Sequence, residues 1–567
     1  MVSDPRLEIH SLDRGRARET SRSTLSHVRL RVHMVRSAVR LAFARSQSAG
    51  ASQPFSSRVG LALRSALLLL LLVSSPACTG TAVHRDPDVL SMVLPRDVQE
   101  LDPRYVSDAY GHKVSRLIFA SLVRIEPHTL EVVPDLAESV EVLSDTEYRV
   151  SLRPALKFSD GSELDARDVV ATFHSVVDPR MRTRYAPTYA RIAHVEALDA
   201  RHVLFTLKGP HASFLTDLEI PILRSEDAER RIALVDGPPP VGAGPYRLTS
   251  RQVGRLELRA NPYWYAGAPR VPRVDMIVIR DDNTRALRLL AGAADLALNA
   301  VPPGLVPLFT PAAGFTVETA DGIDTTYLGV NTEAPALKDV RVRRALAHAI
   351  DRNTLIASKF AGRAQLARSF VPPGHWAYAP QTPTYAYDPQ HARALLDDSG
   401  LVAHDGSPRL KLRLRCGSDR FRVSIARAIA AMLADIGIAV TVQPTETATL
   451  ISDLERGRFE LTLMQVPELI EPHVLSWYFA SDRIPGPHHE GSNRWRFVSS
   501  ELDAALERGR RSLERKARVS AYADVQRILA EQLPVVPLWH EAVVEIRSQR
   551  VASIPVPRDG RFSTLAR

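Results

Sequence analysis

Cysteine is almost absent from this chain: Cys78 and Cys416 are the only two among 567 residues. So few exclude a disulfide-stapled scaffold, and the fold must be held by burial instead. The leucine-rich stretch at 66–73 is eight residues long, where a bilayer-spanning helix needs roughly 20. Neither a G-x-S-x-G nucleophile elbow nor a G-x-x-x-x-G-K phosphate loop occurs. His540-Glu541 opens a zinc-protease-like string, but Val544 stands where the second His is required. No internal repeat or low-complexity segment follows Cys78. A basic surplus does exist, +9 with a pI near 9.6, but it is confined to one end. Residues 1–77 hold twelve Arg and four Asp or Glu, a surplus of +8, which leaves +1 for residues 78–567. The body of the chain therefore has no global attraction for phosphate backbones, and nucleic acid is not an expected partner.

The basic end has a use of its own. Arg58 and Arg64 precede the apolar run at 66–73, and Ser74-Ser75-Pro76-Ala77-Cys78 closes it. A charged start, a short apolar stretch and small residues at the end make a secretory signal. Two readings of the junction stay open: lipid modification at Cys78, as in bacterial lipoproteins, or plain cleavage after Ala77. Residues 1–57 are Arg- and Ser-rich without sustained periodicity, so 1–77 is set aside as leader and 78–81 as a tether.

What remains is too long for one core and alternates strand and helix signals. In 133–173, Val140 and Val142, then Tyr148, Val150 and Leu152, give the period-2 pattern of a hairpin. A turn at Gly161 follows, and Asp165 can cap a helix carrying Val169, Val170 and Phe173. Residues 194–208 alternate through Val195, Leu198, Val203, Phe205 and Leu207. A βαβ unit is expected at 409–442. There Leu410, Leu412 and Leu414 alternate, and Ile425, Ile429, Met432, Leu433 and Ile436 line one helix face. Gly437 stops the helix, and Ile438, Val440 and Val442 resume alternation. Cys416 closes the first strand and reads as buried, with a reactive thiol as the other reading. Asp339 and Asp388-Pro389 mark two further helix starts. The Gly237-Pro238-Pro239-Pro240 stretch is a candidate boundary.

As a string, 133–173 resembles the signature region of the family 5 extracellular solute-binding proteins, the peptide- and nickel-type receptors of ABC importers. The resemblance extends over nearly all of the chain after the leader. Leu101-Asp102-Pro103 resembles the family's opening motif, Gly242-Ala243-Gly244-Pro245-Tyr246 its G-T-G-P-Y turn, and 261–267 its N-P-x-Y-W-x-G corner. Residues 327–331 and 339–351 resemble its N…D-V-R-V-R block, and Tyr387-Asp388-Pro389 the next. The resemblance implies an α/β, two-lobed periplasmic-binding-protein fold with an extra domain (three domains, type II-like) and a ligand cleft between the lobes. On this division lobe I comprises 82–121, 236–322 and 533–567, the extra domain 122–235, and lobe II 323–532. Crossings near 322–326 and 530–534 let the lobes close on a ligand.

The implied function is that of an extracytoplasmic receptor binding oligopeptides or similar small solutes and delivering them to an ABC permease and ATPase complex. It would act as a monomer, lipid-anchored on the periplasmic or cell-surface side of a bacterial membrane, with no catalytic residues, resident metal or cofactor. A non-peptide solute such as a nickel chelate or sugar-derived compound is the alternative, and a secreted hydrolase a remoter one. The family's peptide binders carry W-x-x-D-Y-x-[DE]-P, whose first Asp meets the ligand's amine. Here Gln465-Val466-Pro467-Glu468-Leu469-Ile470-Glu471-Pro472 corresponds, so Glu468 falls on the amine position and Gln465 replaces the Trp. A loop carboxylate without ligand contact is the other reading of Glu468. The family's first-lobe Glu is missing from Phe119-Ala120-Ser121-Leu122. Ser121, Tyr327, Asn331, Val466 and Trp376 complete the ligand-binding residues the resemblance implies, with Tyr378 and Trp477 as cleft aromatics. His488-His489, with His473 and His540, reads as a solvated loop more readily than as a nickel site.

Overall fold

The computed structural model describes residues 86, 88–233, 237–403, 406–486 and 491–566. The leader, Cys78 with its tether, and His488-His489 lie outside them. No helix among the described residues is long and apolar enough to cross a membrane.

The local signals become the expected elements. Strands Ala137–Val142 and Glu147–Leu152 pair antiparallel with Val140 opposite Val150. Helix Ala166–Val177 begins with a reciprocal capping box between Asp165 and Asp168. Strand Leu410–Gly417 and strand Ile438–Thr445 pair in parallel around helix Arg420–Ala434, which buries Ile425, Ile429 and Leu433. Cys416 is a fully buried strand residue. Asp339 and Asp388 accept the backbone N–H groups that open their helices. Leu198 departs from the reading: strand Ile192–Ala197 ends before it, and the side chain is half exposed in the turn.

One mixed sheet of eleven strands runs through the molecule. Its order is Ile438–Thr445, Leu410–Gly417, Leu461–Val466, Phe315–Val330, Val535–Ser548, Leu296–Leu298, Val89–Leu94, Arg273–Val278, Arg255–Ala260 and Tyr246–Gln252, with Ala364–Leu366 also pairing with Val535–Ser548. Two long strands, Phe315–Val330 and Val535–Ser548, join its halves. Phe315 to Ala320 lie opposite Ser548 to Val543, and a register shift follows before Asp324 pairs with Glu541. Beyond the shift, residues 325–330 also pair with Leu461–Val466, whereas 545–547 pair with Leu296–Leu298. Gly322 sits in the irregular stretch, where an added Cβ would lie 2.0 Å from the Glu541 carbonyl oxygen.

Apolar residues gather in separate cores. Met92, Val114, Tyr246, Leu258, Met276 and Phe562 share the core of one half. Leu328, Leu346, Leu414, Ile429, Val536 and Trp539 share that of the other. Leu533, Val536 and Leu538 thus pack with the second half, so the division expected after residue 532 meets a chain that stays in that core until strand Val535–Ser548 passes the register shift. A third core, with Tyr148, Phe173, Phe205 and Phe214, covers a four-stranded antiparallel sheet. That sheet's domain touches the second half. Glu131 meets Arg515 at 2.7 Å, and the Ala212 N–H donates to the Arg510 carbonyl at 2.9 Å.

Candidate functional site

Where the two halves face each other, beside the register shift, lies a cavity of about 250 Å³. The first half contributes Tyr110, Lys113, Asn299 and the tail Arg558-Asp559-Gly560, and the second half Arg363, Gln465, Pro467 and Glu468. Asp324 and Glu541, on the joining strands, complete its charged lining.

Each group is placed by its element. Helix Ala109–Ile118 starts at Asp108, whose carboxylate accepts from the Gly111 N–H. Lys113 and Arg116 are three residues apart and so leave one helix face. Glu468 follows strand Leu461–Val466 in the left-handed conformation, φ 45°, uncommon outside glycine. Its N–H donates to Asp324 Oδ1 at 2.9 Å, which fixes the turn.

Glu468 crosses between the halves. Its carboxylate lies 2.9 Å from Arg561 Nη2 and 3.3 Å from Arg116 Nη1. Burial would raise this carboxyl, but Arg561, Arg116 and Lys113 outweigh burial and hold it at about 2. Arg561 is itself buried, and it also pairs with Glu219 and lies 3.5 Å from Asp559. Burial favours its neutral form, yet Glu219, Glu468 and Asp559 keep it charged and move its pKa upward. Asp324 is different. Burial, with Glu541 and Glu468 adding repulsion against the Glu468 N–H bond, pushes its carboxyl up to about 6. Burial likewise moves Asp559 up to about 6 despite Arg561. Glu541 accepts from Thr326 Oγ1 at 2.7 Å.

Of the residues expected from sequence, Glu468 and Gln465 line the cavity. Gln465 Oε1 also accepts from Arg422 Nη2 at 2.9 Å. Val466 is buried in a core. Tyr327 packs in the same core, against Phe370 and Trp495, with ring centroids 4.9 and 5.3 Å away. The Asn331 amide donates to the Gly457 and Phe459 carbonyls, an arrangement that ties a turn. Ser121 donates to the Glu219 carbonyl at 2.7 Å and borders a smaller hollow behind Arg116 and Arg561. Trp376 lies under Arg515 and Arg518 rather than in the cavity lining. Tyr378 packs against the Tyr327 core and Trp477 against Arg483. Glu471 pairs with Arg518. His473 packs edge-on against His211, and His540 lies against Thr325 Oγ1. Among the described residues no group of three His, Cys, Asp or Glu is arranged to hold a metal ion.

Sequence reasoning missed Lys113, Arg116, Asn299, Asp324, Glu541, Arg558 and Arg561. A signal existed for the first two, as basic residues at helical spacing on a capped helix. Arg558 reaches the cavity, and Arg561 reaches Glu468, because the end of the chain returns to the first half. That is a long-range fact with no local pattern.

Along most of its length the chain is similar to known bacterial solute-binding proteins. The model of the bacterial extracellular solute-binding proteins, family 5 middle, matches residues 131–483. The di/tripeptide-binding protein 2 of Pseudomonas aeruginosa is 28% identical over 520 residues, 87% of this chain and 96% of that protein. The glutathione-binding protein GsiB of Salmonella paratyphi A is 27% identical over 475 residues, 82% of this chain and 91% of its own. Among solved structures, NikA from Brucella suis in complex with Fe(III)-EDTA superposes with a TM-score of 0.76 at 25% identity, over 84% of this chain and 99% of NikA.

Proposed function

The chain belongs to the family 5 bacterial extracellular solute-binding proteins, and from that premise we propose that it is the receptor of an ABC importer for small peptides. Its two lobes close on the solute, and the closed form is what the permease and ATPase complex reads. The passages between lobes are the register shift at 321–323 and the facing stretch at 541–543. The observation that carries the peptide reading is the charge of the cavity. Groups of both signs, Lys113 with Asp324, Glu468 and Glu541, line one small space. A zwitterion matches such a lining, since a buried charge must be paired. The cavity's 250 Å³ falls near the lower end of ligand clefts, about 300 Å³, which suits a di- or tripeptide. Relatives that bind di/tripeptides and glutathione support the same class.

In this reading the solute amine is met by Asp324 with Glu541. Glu468, at the family's amine position, acts chiefly as a tie between lobes through Arg561 and Arg116. The protein works as a monomer on the periplasmic or cell-surface side of a bacterial membrane, anchored by lipid at Cys78, and its role is binding rather than chemistry. A metal chelate is the second reading, favoured by the likeness to NikA. Mass spectrometry of small molecules released by denaturing freshly purified protein tests the proposal. Peptides support it, and a metal complex or sugar derivative replaces it.

A further inference from the structure

Lys113 is placed unlike the other cations of the cleft. It is 8% exposed and lines the cavity. It has neither a hydrogen bond nor an ion pair within 4 Å among the described residues. Its ammonium lies over the rings of Tyr110 and Phe562, 5.4 and 5.6 Å from their centroids. Ring faces attract a cation but accept no directed bond of normal strength from its N–H groups. Burial lowers the Lys113 pKa, and Glu468, Asp324 and Asp559 oppose that from beyond contact distance. Those carboxylates have partners of their own. Glu468 is held by Arg561 and Arg116, Asp559 lies against Arg561, and Asp324 accepts from the Glu468 N–H. Lys113 thus lines the cavity without a hydrogen-bond partner among the described residues, while the nearest strong carboxylate, Glu468, is held by Arg561 and Arg116.

Asn299 presents a second donor at the same place. It is left-handed, φ 50°, and its Oδ1 accepts from the Val544 N–H at 2.7 Å. That bond fixes which way the amide faces and leaves Nδ2 turned elsewhere. Gly560, φ 64°, marks where. A Cβ on Gly560 would stand 3.4 Å from Asn299 Nδ2 and 3.6 Å from Lys113 Nζ. Two donors therefore stand beside the same glycine, and the missing side chain leaves both beside the cavity that all three residues line.

We propose that Lys113 and Asn299, beside Gly560, form a carboxylate-binding subsite of the cleft, so that the solute is a small peptide held by a free carboxylate there and by its amine at Asp324 and Glu541. The carboxylate supplies the acceptors that Lys113 lacks. This rests on the peptide reading above, and two measurements separate the fate of one from the other.

The first is calorimetry on the unliganded full chain with Ala-Ala and with its C-terminal amide. Wild type binds the acid at least tenfold tighter than the amide, and Lys113→Met reduces that preference to under twofold. Gly560→Ala, which keeps Lys113 but fills the space, also weakens acid binding. Equal affinity for acid and amide in wild type overturns the subsite while leaving the peptide reading intact. The second measurement uses acetate, the carboxylate alone. At tens of millimolar it raises the unfolding midpoint of wild type and not that of Lys113→Met, and acetamide raises neither. If neither compound binds wild type, acetate alone decides the subsite, and a wider panel of di- and tripeptides decides the peptide reading. Identical responses of wild type and Lys113→Met to acetate overturn it.

Discussion

Asp324 and Glu541 face each other as a directly opposed pair on the two long strands that join the lobes. Like charges directly opposite in an antiparallel ladder are destabilising, and both carboxylates line the cleft. The arrangement is costly in the empty protein and becomes favourable when a cation enters. That is why the amine is assigned here rather than to Glu468.

The first prediction concerns pH. The Asp324 carboxyl is raised to about 6, so the empty protein carries it largely protonated below that value. A cationic amine favours the ionised form. Affinity for an amine-bearing solute should therefore climb as pH rises from 5 to 7. Calorimetry across that range should show the climb in wild type and a flatter, weaker profile in Asp324→Asn.

The same residue makes a stability prediction of opposite sign. A carboxyl raised in the folded state contributes stability below its unfolded value near 3.8 and loses it as pH rises through about 6. At pH 7.5 the ionised Asp324 is thus a burden on the empty protein. Asp324→Asn should gain on the order of 2 kcal/mol there and little at pH 4. Denaturant unfolding at the two values checks this.

Glu468 behaves in the reverse way. Its carboxyl is held at about 2, below the ordinary 4.5, so its contribution is present above pH 4.5 and lost as pH falls toward 2. Its side chain is 21% accessible. Breaking the pair with Arg561 and Arg116 should then cost about 2 kcal/mol, below the value for a fully buried pair. Glu468→Gln should also open the empty protein, seen as a larger radius of gyration in solution scattering at pH 7. An unchanged radius would remove its role as a tie.

Gly322 tests the passage between lobes. An added methyl would lie 2.0 Å from the Glu541 carbonyl oxygen, and backbone cannot move aside as a flexible side chain can. Gly322→Ala should destabilise the fold by about 1–3 kcal/mol and weaken solute binding, because it separates the strands beside Asp324. Gly209→Ala, where an added Cβ meets nothing within 4 Å and the backbone is not left-handed, is the control for a glycine substitution without a clash.

The proposed lipid anchor at Cys78 is tested separately. Wild type produced in bacteria should partition into detergent, and Cys78→Ala should leave the mature protein in the aqueous phase. Equal partitioning would point to cleavage after Ala77 instead.

What the sequence revealed was what is local. Asp165, Asp339 and Asp388 cap helices through bonds spanning two or three residues, and the alternation of Leu410, Leu412 and Leu414 is a property of one strand. The cleft is not local. Lys113 meets Gly560 only because the end of the chain returns to the first lobe. Asp324 meets Glu541 only because two strands far apart in sequence pair. Family motifs helped unevenly for a related reason. Tyr327, Asn331 and Val466 stand in recognisable strings, yet Tyr327 fills a core, Asn331 ties a turn and Val466 is buried. A string does not distinguish residues kept for packing from residues that touch a solute. The motif singled out Glu468, which lines the cavity, but its partners Arg116 and Arg561 could be known only from the fold.

The most direct test of the account is calorimetry of the unliganded protein against a panel of di- and tripeptides, in wild type and in Asp324→Asn. The account predicts micromolar or tighter binding of at least one peptide, weakened tenfold or more by the substitution, which corresponds to about 1.4 kcal/mol. Absence of heat with every peptide, or equal affinity in both proteins, would contradict it.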